Sequence, residues 1–277
     1  MGKSSLSAIV CSQNDERTIK ACVESFLHFC NEVIVVVNNS TDCTWSIVES
    51  LSDEQFFGKL TRIQVDGITD LSEARTLGYS ISSGDWIIRA DGDFICYSAL
   101  DGKFSPLNLK HKLSRRFSFL PVMYYVPQLN LFRDFNTVGD GGYSFSPFDE
   151  PRMPRIYSRN ILLRFKRLGR DEGVPYRFVY WRKKLDVPIW VHATFKNKID
   201  IRLSHGWRRD WRELGDYNRF PTLIDYVHQV KLPEEYPGLT LEEASEQFYE
   251  EKVVPSLTPI PSNSKWPVPA HIKDLDV

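Results

Sequence analysis

Two aspartates separated by one glycine are the residues of this chain best suited to metal chemistry. They stand in Asp91-Gly92-Asp93, directly after the apolar run Trp86-Ile87-Ile88, which is typical of a buried strand. Side chains two residues apart on an extended backbone point the same way, and the glycine lets a ligand approach the main chain. Mg²⁺ and Mn²⁺ prefer oxygen ligands and commonly bridge carboxylates to a diphosphate. The spacing therefore predicts a divalent cation at Asp91 and Asp93, with an acidic turn that caps a strand as the alternative.

The elements that must position this pair alternate between strand and helix. Apolar and helical periodicities predict strands at 6–11, 32–37, 60–65 and 84–90, with helices at 18–30, 44–51 and 71–82 between them. Such alternation predicts a parallel sheet with right-handed crossovers, in which ligands bind beyond the carboxyl ends of the strands. Polar turns at 12–14 and 38–41 fall at the same edge as the aspartate pair.

Length and composition narrow the class of protein. The 277 residues are 42% hydrophobic and 13% aromatic, which supports a full-sized α/β core. The formal net charge of −1 gives no overall field for nucleic acid, so no nucleic-acid partner is predicted. The five cysteines show no CxxC pairing and are interpreted as reduced core residues. Because no apolar run approaches about 18 residues, we expect a cytoplasmic protein without a transmembrane segment, with peripheral membrane contact left open.

The order of motifs in the first hundred residues resembles the nucleotide-binding half of inverting family 2 glycosyltransferases of the GT-A fold. The segments that carry the resemblance are IVCSQNDE, VVVNNSTDCT, SEARTLGYSISSGDWII and ADGD. Members of that family have a Pro-x-Tyr-Asn-Glu-like turn, an Asp-x-Gly-Ser-Thr-Asp-Gly-Thr turn, an Ala-Arg-Asn helix and a DxD in the same order. The resemblance implies a mostly parallel central sheet flanked by helices, a nucleotide-sugar donor and a Mn²⁺ or Mg²⁺ cofactor.

The resemblance also implies which residues meet the nucleotide. These are Cys11, Ser12, Gln13, Asn14, Asn38, Arg75 and Asp91. Family members usually carry an aspartate where this chain has Val37 or Asn38, and that aspartate contacts the ribose or base. Asn38 could form hydrogen bonds there, but it carries no charge. Gln13 replaces a tyrosine, so it can read a base edge but cannot stack on it. Arg75 matches the arginine of the Ala-Arg-Asn helix, whose fork can hold a phosphate or orient an acidic loop, with a surface helix arginine as the alternative.

An inverting transfer needs a carboxylate that takes the proton of the acceptor hydroxyl. A turn in the second half supplies Glu172 and Asp171 as candidates. Glu172 is preferred because its side chain is longer and Arg170 can pair with Asp171. Asp149 and Glu150 are the reserve pair. An ordinary solvated turn is the alternative interpretation.

A histidine in the second half is a further candidate metal ligand. The segment PRIYSRN at 154–160 resembles a strand found in one branch of the family, where an acidic residue and later a histidine near the metal follow. His192, in the apolar segment PIWVHATF, takes that place. A neutral imidazole there could complete the coordination of the metal, while a core histidine bonded to the backbone is the alternative.

Three regions are expected in one GT-A domain. Residues 1–105 are predicted to be the nucleotide-sugar-binding half, 106–230 the acceptor-binding half, and 231–277 a C-terminal helix with an extended proline-rich arm.

Several local predictions accompany this division. Lys110 to Asn130 is interpreted as extended, and 139–154 as an acceptor-side loop. Helical spacing within 202–219 predicts one apolar face that carries Trp207, Trp211 and Leu214.

These observations predict a metal-dependent inverting glycosyltransferase that moves a sugar from a nucleotide diphosphate sugar, expected to be a UDP-sugar, to a hydroxyl of a glycan or lipid-linked acceptor. A sugar nucleotidyltransferase is one alternative, but such enzymes usually carry a Gly-rich basic loop after the first strand, and residues 12–17 contain no glycine. The second alternative is a non-catalytic carbohydrate-binding or scaffolding module. Loss of nucleotide binding in such a module would explain why the family aspartate that contacts the nucleotide is missing.

Overall fold

The computed structural model describes most of the chain in separate ranges. They are residues 4–51, 58–67, 71–113, 120–139, 148–149, 155–159, 166–168, 171–173, 181–260, 264 and 266–269. Only the backbone is described at 110–111, 148–149, 166–168 and 171–173. The strands within these ranges are β1 (Leu6–Ser12), β2 (Glu32–Asn38), β3 (Leu60–Val65), β4 (Trp86–Asp91), β5 (Phe94–Cys96), β6 (Val122–Tyr125), β7 (Gln128–Phe132), β8 (Thr137–Val138), β9 (Phe148–Asp149), β10 (Ile156–Ser158), β11 (Lys166–Leu168), β12 (Asp171–Gly173), β13 (Trp181–Lys184), β14 (Trp190–Thr194) and β15 (Thr258–Pro259). The α-helices are α1 (Ile19–Leu27), α2 (Thr44–Ser50), α3 (Leu71–Ile81), α4 (Leu107–Lys112), α5 (Lys198–Arg202), α6 (Arg208–Leu214), α7 (Leu223–Tyr226), α8 (Leu232–Glu235) and α9 (Leu241–Phe248).

A seven-stranded sheet forms the centre of the fold, in the order β13-β6-β10-β4-β1-β2-β3. β1 is parallel to β2 and β4, and β2 is parallel to β3. β10 runs antiparallel between β4 and β6. The central strands are continuously apolar because helices cover both faces: α1 and α2 pack on one side and α3 on the other. The predicted α/β class, a mostly parallel central sheet flanked by helices, is confirmed.

A second sheet brings the later part of the chain to the metal turn. Its order is β15-β8-β7-β14-β5, and β9 pairs with β7. β14 is antiparallel to β5, with His192 opposite Phe94, and parallel to β7, with His192 opposite Asn130. His192 therefore lies opposite the residue that directly follows Asp93.

The prediction that Lys110 to Asn130 is extended is wrong at its start. Helix α4 covers 107–112, while β6 and β7 supply the extended part. Pro106 precedes the first helical residue with φ −65°, a value suited to helix initiation. Leu109 and Leu113, four residues apart, are both buried, which is helical spacing. Of the predicted loop at 139–154, residues 140–147 and 150–154 lie outside the described residues.

The apolar face predicted within 202–219 is only partly correct. Trp207 and Trp211 are buried, but Leu214 is 52% exposed. The helical run is broken by a π turn at Leu203–Trp207, where Gly206 has φ 96°, and α6 ends at Gly215 with φ 67°. Leu214 is therefore the last residue of a short helix rather than the middle of a longer one.

The C-terminal region packs on the domain. Helix α9 and a π turn at Tyr249–Val253 match the predicted helix. Within the arm, Trp266 is buried, and the Tyr97 hydroxyl donates to the Pro267 carbonyl oxygen at 2.7 Å. All five cysteines are free thiols, and only Cys43 is exposed. Among the helices described, none combines the length and apolar character needed to cross a bilayer.

Candidate active site

The two predicted metal-binding aspartates lie at the carboxyl edge of the parallel strands, in the turn between β4 and β5. The Gly92 N–H donates to the Cys11 carbonyl oxygen at 3.0 Å, and Thr18 Oγ1 donates to the Gly92 carbonyl oxygen at 3.1 Å. A Cβ at Gly92 would lie 2.5 Å from both Asp15 Oδ2 and Ser12 Oγ. Glycine is therefore required for this turn to pack against the turn that follows β1.

Asp91 is held by arginines on both of its carboxylate oxygens. Arg75 donates to Oδ1, and Arg155 donates to Oδ2 at 3.0 Å. Arg75 also donates to the Ala90 carbonyl oxygen at 2.8 Å and is buried, so the alternative of a surface arginine is wrong. Burial would raise the pKa of Asp91, but the guanidiniums of Arg75, Arg155 and Arg89 hold it well below its usual range. Asp91 is thus ionised and anchored.

The buried Asp93 pairs with the half-buried His192, and both line the adjacent cavity. Nε2 of His192 lies 3.1 Å from Asp93 Oδ2, and its Nδ1 lies 3.1 Å from Asn130 Oδ1. Burial would lower the pKa of His192, but the Asp93 carboxylate raises it. With Nδ1–H donating to Asn130, a neutral imidazole would present its Nε2 lone pair beside Asp93.

The Asp93–His192 pair has side-chain atoms that are suited to bind a cation. Asp93 is 6% exposed, and its Oδ1 has no hydrogen-bond partner among the described residues. A buried carboxylate oxygen without a partner, next to an imidazole, suits a metal ion that takes oxygen and nitrogen ligands. In the described part of the chain no third His, Cys, Asp or Glu completes a metal-binding group. The remaining ligands would have to come from a nucleotide or from water.

A half-buried lysine pairs with the turn after β1. Lys196 Nζ lies 2.9 Å from Asp15 Oδ1 and donates to the Gln13 carbonyl oxygen at 3.0 Å. Asp15 Oδ2 accepts from Ser12 Oγ at 2.8 Å. Burial would lower the pKa of Lys196, but the carboxylates of Asp15 and Asp93 raise it. The lysine is therefore charged and ties the segment after β14 to the first turn.

A cavity of about 210 Å³ opens between these groups. Its lining residues are Cys11, Gln13, Asp15, Asn38, Leu71, Asp91, Asp93, His192, Lys196, Arg208 and Arg212. Arg208 donates to Gln13 Oε1 at 2.9 Å, and Gln13 Nε2 donates to the Asn39 carbonyl oxygen at 3.2 Å. Asn38 is buried, and its Oδ1 has no hydrogen-bond partner within the described ranges. The cavity thus combines acidic groups, basic groups and one unsatisfied amide oxygen.

The structure brings most of the predicted site residues together. Cys11, Gln13, Asn38, Asp91, Asp93 and His192 line the cavity. Ser12 and Arg75 do not line it but hydrogen-bond to the lining residues Asp15 and Asp91, and Asn14 does not line it either. Asn14 adopts φ 54°, donates to Asp200 Oδ1 at 2.9 Å and accepts from the Thr41 N–H at 2.9 Å. These contacts join the turn after β1 to helix α5 and to the turn after β2.

The candidate base residues are described only by their backbone or not at all. Glu172 and Asp171 lie in β12, which pairs with β11 in a hairpin that packs against α3. Asp149 lies in β9 opposite Gln128. The side chains of these three acids and the whole of Glu150 lie outside the described residues, so the choice of base stays a prediction.

Several cavity residues were missed by sequence reasoning. They are Asp15, Lys196, Arg208 and Arg212, and Arg155 was missed next to Asp91. Arg208 and Arg212 are four residues apart on α6, so their shared face was a readable signal. Asp15 stands in the same polar turn as the predicted residues. Lys196 and Arg155 reach the site through long-range strand pairing, which leaves no local sequence signal.

Comparison with known proteins gives a family match for the first part of the chain. Residues 7–104, about a third of the chain, match the family model described as glycosyl transferase family 2. This stretch contains the turn after β1, the polar turn after β2 and the aspartate pair. The resemblance predicted from those motifs is therefore confirmed for this stretch. No protein of curated function matches the chain.

Three solved structures that are similar to the chain share little sequence with it. TarS residues 1–349 from S. aureus align with 15% identity and a TM-score of 0.43, covering 90% of this chain and 81% of that one. Glucosyl-3-phosphoglycerate synthase from Mycobacterium tuberculosis, in complex with Mn²⁺, UDP and glucosyl-3-phosphoglycerate, aligns with 20% identity and a TM-score of 0.31, covering 47% and 44%. GalNAc-T7 with UDP, GalNAc and Mn²⁺ aligns with 14% identity and a TM-score of 0.35, covering 47% and 24%. The last two alignments span less than half of either protein.

The pair between Lys196 and Asp15 gives a stability test. Lys196→Met is expected to lower the free energy of unfolding by about 3 kcal/mol, because it leaves the Asp15 carboxylate buried without a counter-charge. Adding Asp15→Asn should recover most of that loss, and equilibrium urea unfolding measures both. The control is Lys198→Met, which removes an exposed pair with Glu246 and should cost less than about 1 kcal/mol. Equal losses from the two lysine variants would contradict the assigned pairing.

Proposed function

We propose that this chain is a metal-dependent inverting glycosyltransferase that moves a sugar from a UDP-sugar to a hydroxyl of a glycan or lipid-linked acceptor. The observation that carries the proposal is the Asp93–His192 pair, with its unpartnered carboxylate oxygen, at the ligand edge of a sheet whose first part matches family 2. A cytoplasmic location stays a prediction.

Asp93 and His192 would hold the divalent cation. When bound, the cation would neutralise the charge that develops on the departing diphosphate. The imidazole nitrogen favours Mn²⁺ over Mg²⁺, because Mg²⁺ takes oxygen ligands almost exclusively. Asp91 was predicted as a metal or ribose ligand. Its contacts with Arg75 and Arg155 support a third role, in which it holds the turn so that Asp93 faces the cavity.

Uracil is the base we favour. The buried Asn38 Oδ1 without a described partner would accept a hydrogen bond from a ring N–H. Uracil carries such a donor at N3, whereas the cytosine N3 is only an acceptor. Cys11 and Gln13, which also line the cavity, complete the proposed nucleoside pocket, and Ser12 and Asn14 flank Gln13 in the chain.

The basic side of the cavity suits the diphosphate. Lys196, Arg208 and Arg212 lie in the same wall lining as Asp93 and His192. Guanidinium groups bind phosphate oxygens by paired hydrogen bonds and keep their charge at any physiological pH. We therefore assign Arg208 and Arg212 as the residues that bind the diphosphate. The hydrogen bond from Arg208 to Gln13 is the contact that Arg208 makes when no nucleotide is bound.

The transfer step follows from these placements. The acceptor oxygen attacks the anomeric carbon on the face opposite the diphosphate, and a carboxylate takes its proton. The bond from the anomeric carbon to the diphosphate oxygen breaks, and its electron pair leaves with the nucleotide. Glu172 is the proposed base, with Asp171 as its neighbour. The packing of their hairpin against α3 supports this choice, because α3 also carries Arg75.

Asp93→Asn should remove the metal-dependent part of UDP binding. Calorimetric titration with Mn²⁺ is expected to show UDP affinity reduced at least about tenfold, since one charged ligand is lost. Affinity without metal should equal that of the parent. Asp216→Asn, at an exposed aspartate, is the control and should bind normally.

Three outcomes would contradict this assignment. If Asp93→Asn binds UDP with Mn²⁺ as the parent does, the metal assignment fails. If the parent binds none of UDP, GDP and TDP, a scaffolding module is favoured. Turnover of a nucleoside triphosphate with a sugar phosphate would instead favour a nucleotidyltransferase.

Arg208→Gln and Arg212→Gln should each weaken UDP binding by about five- to tenfold and leave uridine binding unchanged, because uridine has no diphosphate. Arg209→Gln is the matched control, since Arg209 lies on the same helix but is exposed beside Asp210. Competition titrations with UDP and uridine measure both effects. Equal weakening for the Arg209 variant would indicate a general charge effect and contradict the assignment.

Glu172→Gln should keep donor affinity while transfer slows by about 10²- to 10⁴-fold, the usual cost of losing a general base. Asp171→Asn should have a milder effect. Radiolabelled sugar transfer, with UDP titration as the binding control, measures both. Parental transfer by Glu172→Gln together with an inactive Asp149→Asn or Glu150→Gln would place the base in the earlier segment.

A further inference from the structure

A second cavity, of about 350 Å³, lies at the far end of α1 from the proposed donor site. The carboxyl end of α1, residues 96–100 after β5, and the start of α4 form its wall. It shares no lining residue with the donor cavity. Thr18, just before α1, contacts the metal turn, whereas Ser25 near the other end lines the second cavity. Thr18 and Ser25 are seven residues apart, a rise of about 10 Å along the helix.

Three of the four polar side chains in the wall of the second cavity make the hydrogen bonds given below, and the fourth, His28, is exposed. Ser25 Oγ donates to the Cys22 carbonyl oxygen at 2.7 Å and accepts from the Cys96 N–H at 3.0 Å. The Tyr97 hydroxyl donates to Pro267, and burial raises its pKa, so it stays neutral. Ser98 Oγ accepts from the Leu100 N–H at 3.1 Å as a helix cap. A ligand of this cavity therefore meets carbon surface and satisfied polar groups, which suits a hydrocarbon chain.

Exposed leucines line the cavity, and the chain segment that carries them is basic. Leu100 is 88% exposed and Leu107 is 44% exposed, although both line the cavity. The short segment that carries them, 99–112, contains three lysines and one aspartate. Lys103 and Lys112 are exposed on this segment. Exposed leucines beside lysines are the composition of a surface that enters the boundary of an anionic bilayer.

We propose that this face binds the surface of an anionic membrane. The second cavity takes one acyl chain of a phospholipid, Leu100 and Leu107 insert beside it, and Lys103 and Lys112 meet the acidic headgroups. The proposal uses no residue assigned to donor binding or transfer, so it stands or falls separately from the proposed function. Membrane contact of this kind needs no spanning helix.

Vesicle co-sedimentation of the full chain tests the proposal. The parent should sediment with vesicles of phosphatidylcholine containing about one-third phosphatidylglycerol, and at least about fivefold more weakly with phosphatidylcholine alone. Leu100→Ser should reduce partitioning into the acidic vesicles by about tenfold through loss of buried apolar surface. Lys103→Gln and Lys112→Gln should each reduce it by about fivefold.

Two exposed positions elsewhere supply matched controls. Leu214→Ser and Lys252→Gln make the same chemical changes at exposed sites outside the cavity and should bind acidic vesicles like the parent. An unchanged far-UV circular dichroism spectrum and thermal unfolding midpoint would show that every variant remains folded. The proposal is overturned if the parent does not bind acidic vesicles, or if Leu100→Ser binds them as well as Leu214→Ser does. Binding of free fatty acid without vesicle binding would also overturn it, because the ligand would then be a soluble amphiphile.

Discussion

Three buried or half-buried carboxylates crowd the carboxyl edge of the central sheet, and each must be balanced by a cation. Asp15, Asp91 and Asp93 meet around Gly92, where the two turns touch. An ionised carboxylate left unpaired in such a place costs several kcal/mol. The counter-charges come from distant parts of the chain: Arg75 on α3, Arg155 before β10 and Lys196 after β14, while His192 on β14 faces Asp93. Charge balance at this edge therefore ties the later strands to the stretch that matches the family 2 model.

The same balance separates the roles of the two aspartates in the metal turn. Asp91 has both oxygens on guanidiniums, so it is fixed in place. Asp93 has one oxygen on His192 and one without a described partner, so it retains capacity for a ligand. A symmetric Asp-x-Asp pattern thus becomes an asymmetric site. The anchored residue gives the turn its geometry, and the other carries the proposed metal chemistry.

Local pattern was enough to predict the first half of the fold. The runs that became β1, β2 and β4 are apolar on both faces, and the aspartate pair directly follows one of them. Contacts that depend on pairing between distant segments could not be predicted from the sequence. Nothing near Lys196 indicates that it pairs with Asp15, because that contact follows from the register of β14 against β5. Leu214 was misplaced because helical spacing does not show that α6 stops at the next residue.

Anomalous diffraction from crystals grown with UDP and Mn²⁺ tests the central claim most directly. We expect one manganese peak within coordination distance of both the Asp93 carboxylate and His192 Nε2, with Asp91 still bound by Arg75 and Arg155. The UDP diphosphate should bridge from the metal towards Arg208 and Arg212. Manganese on Asp91 with its arginines displaced, or UDP bound in the cavity while His192 stays on Asp93 without metal, would contradict the account.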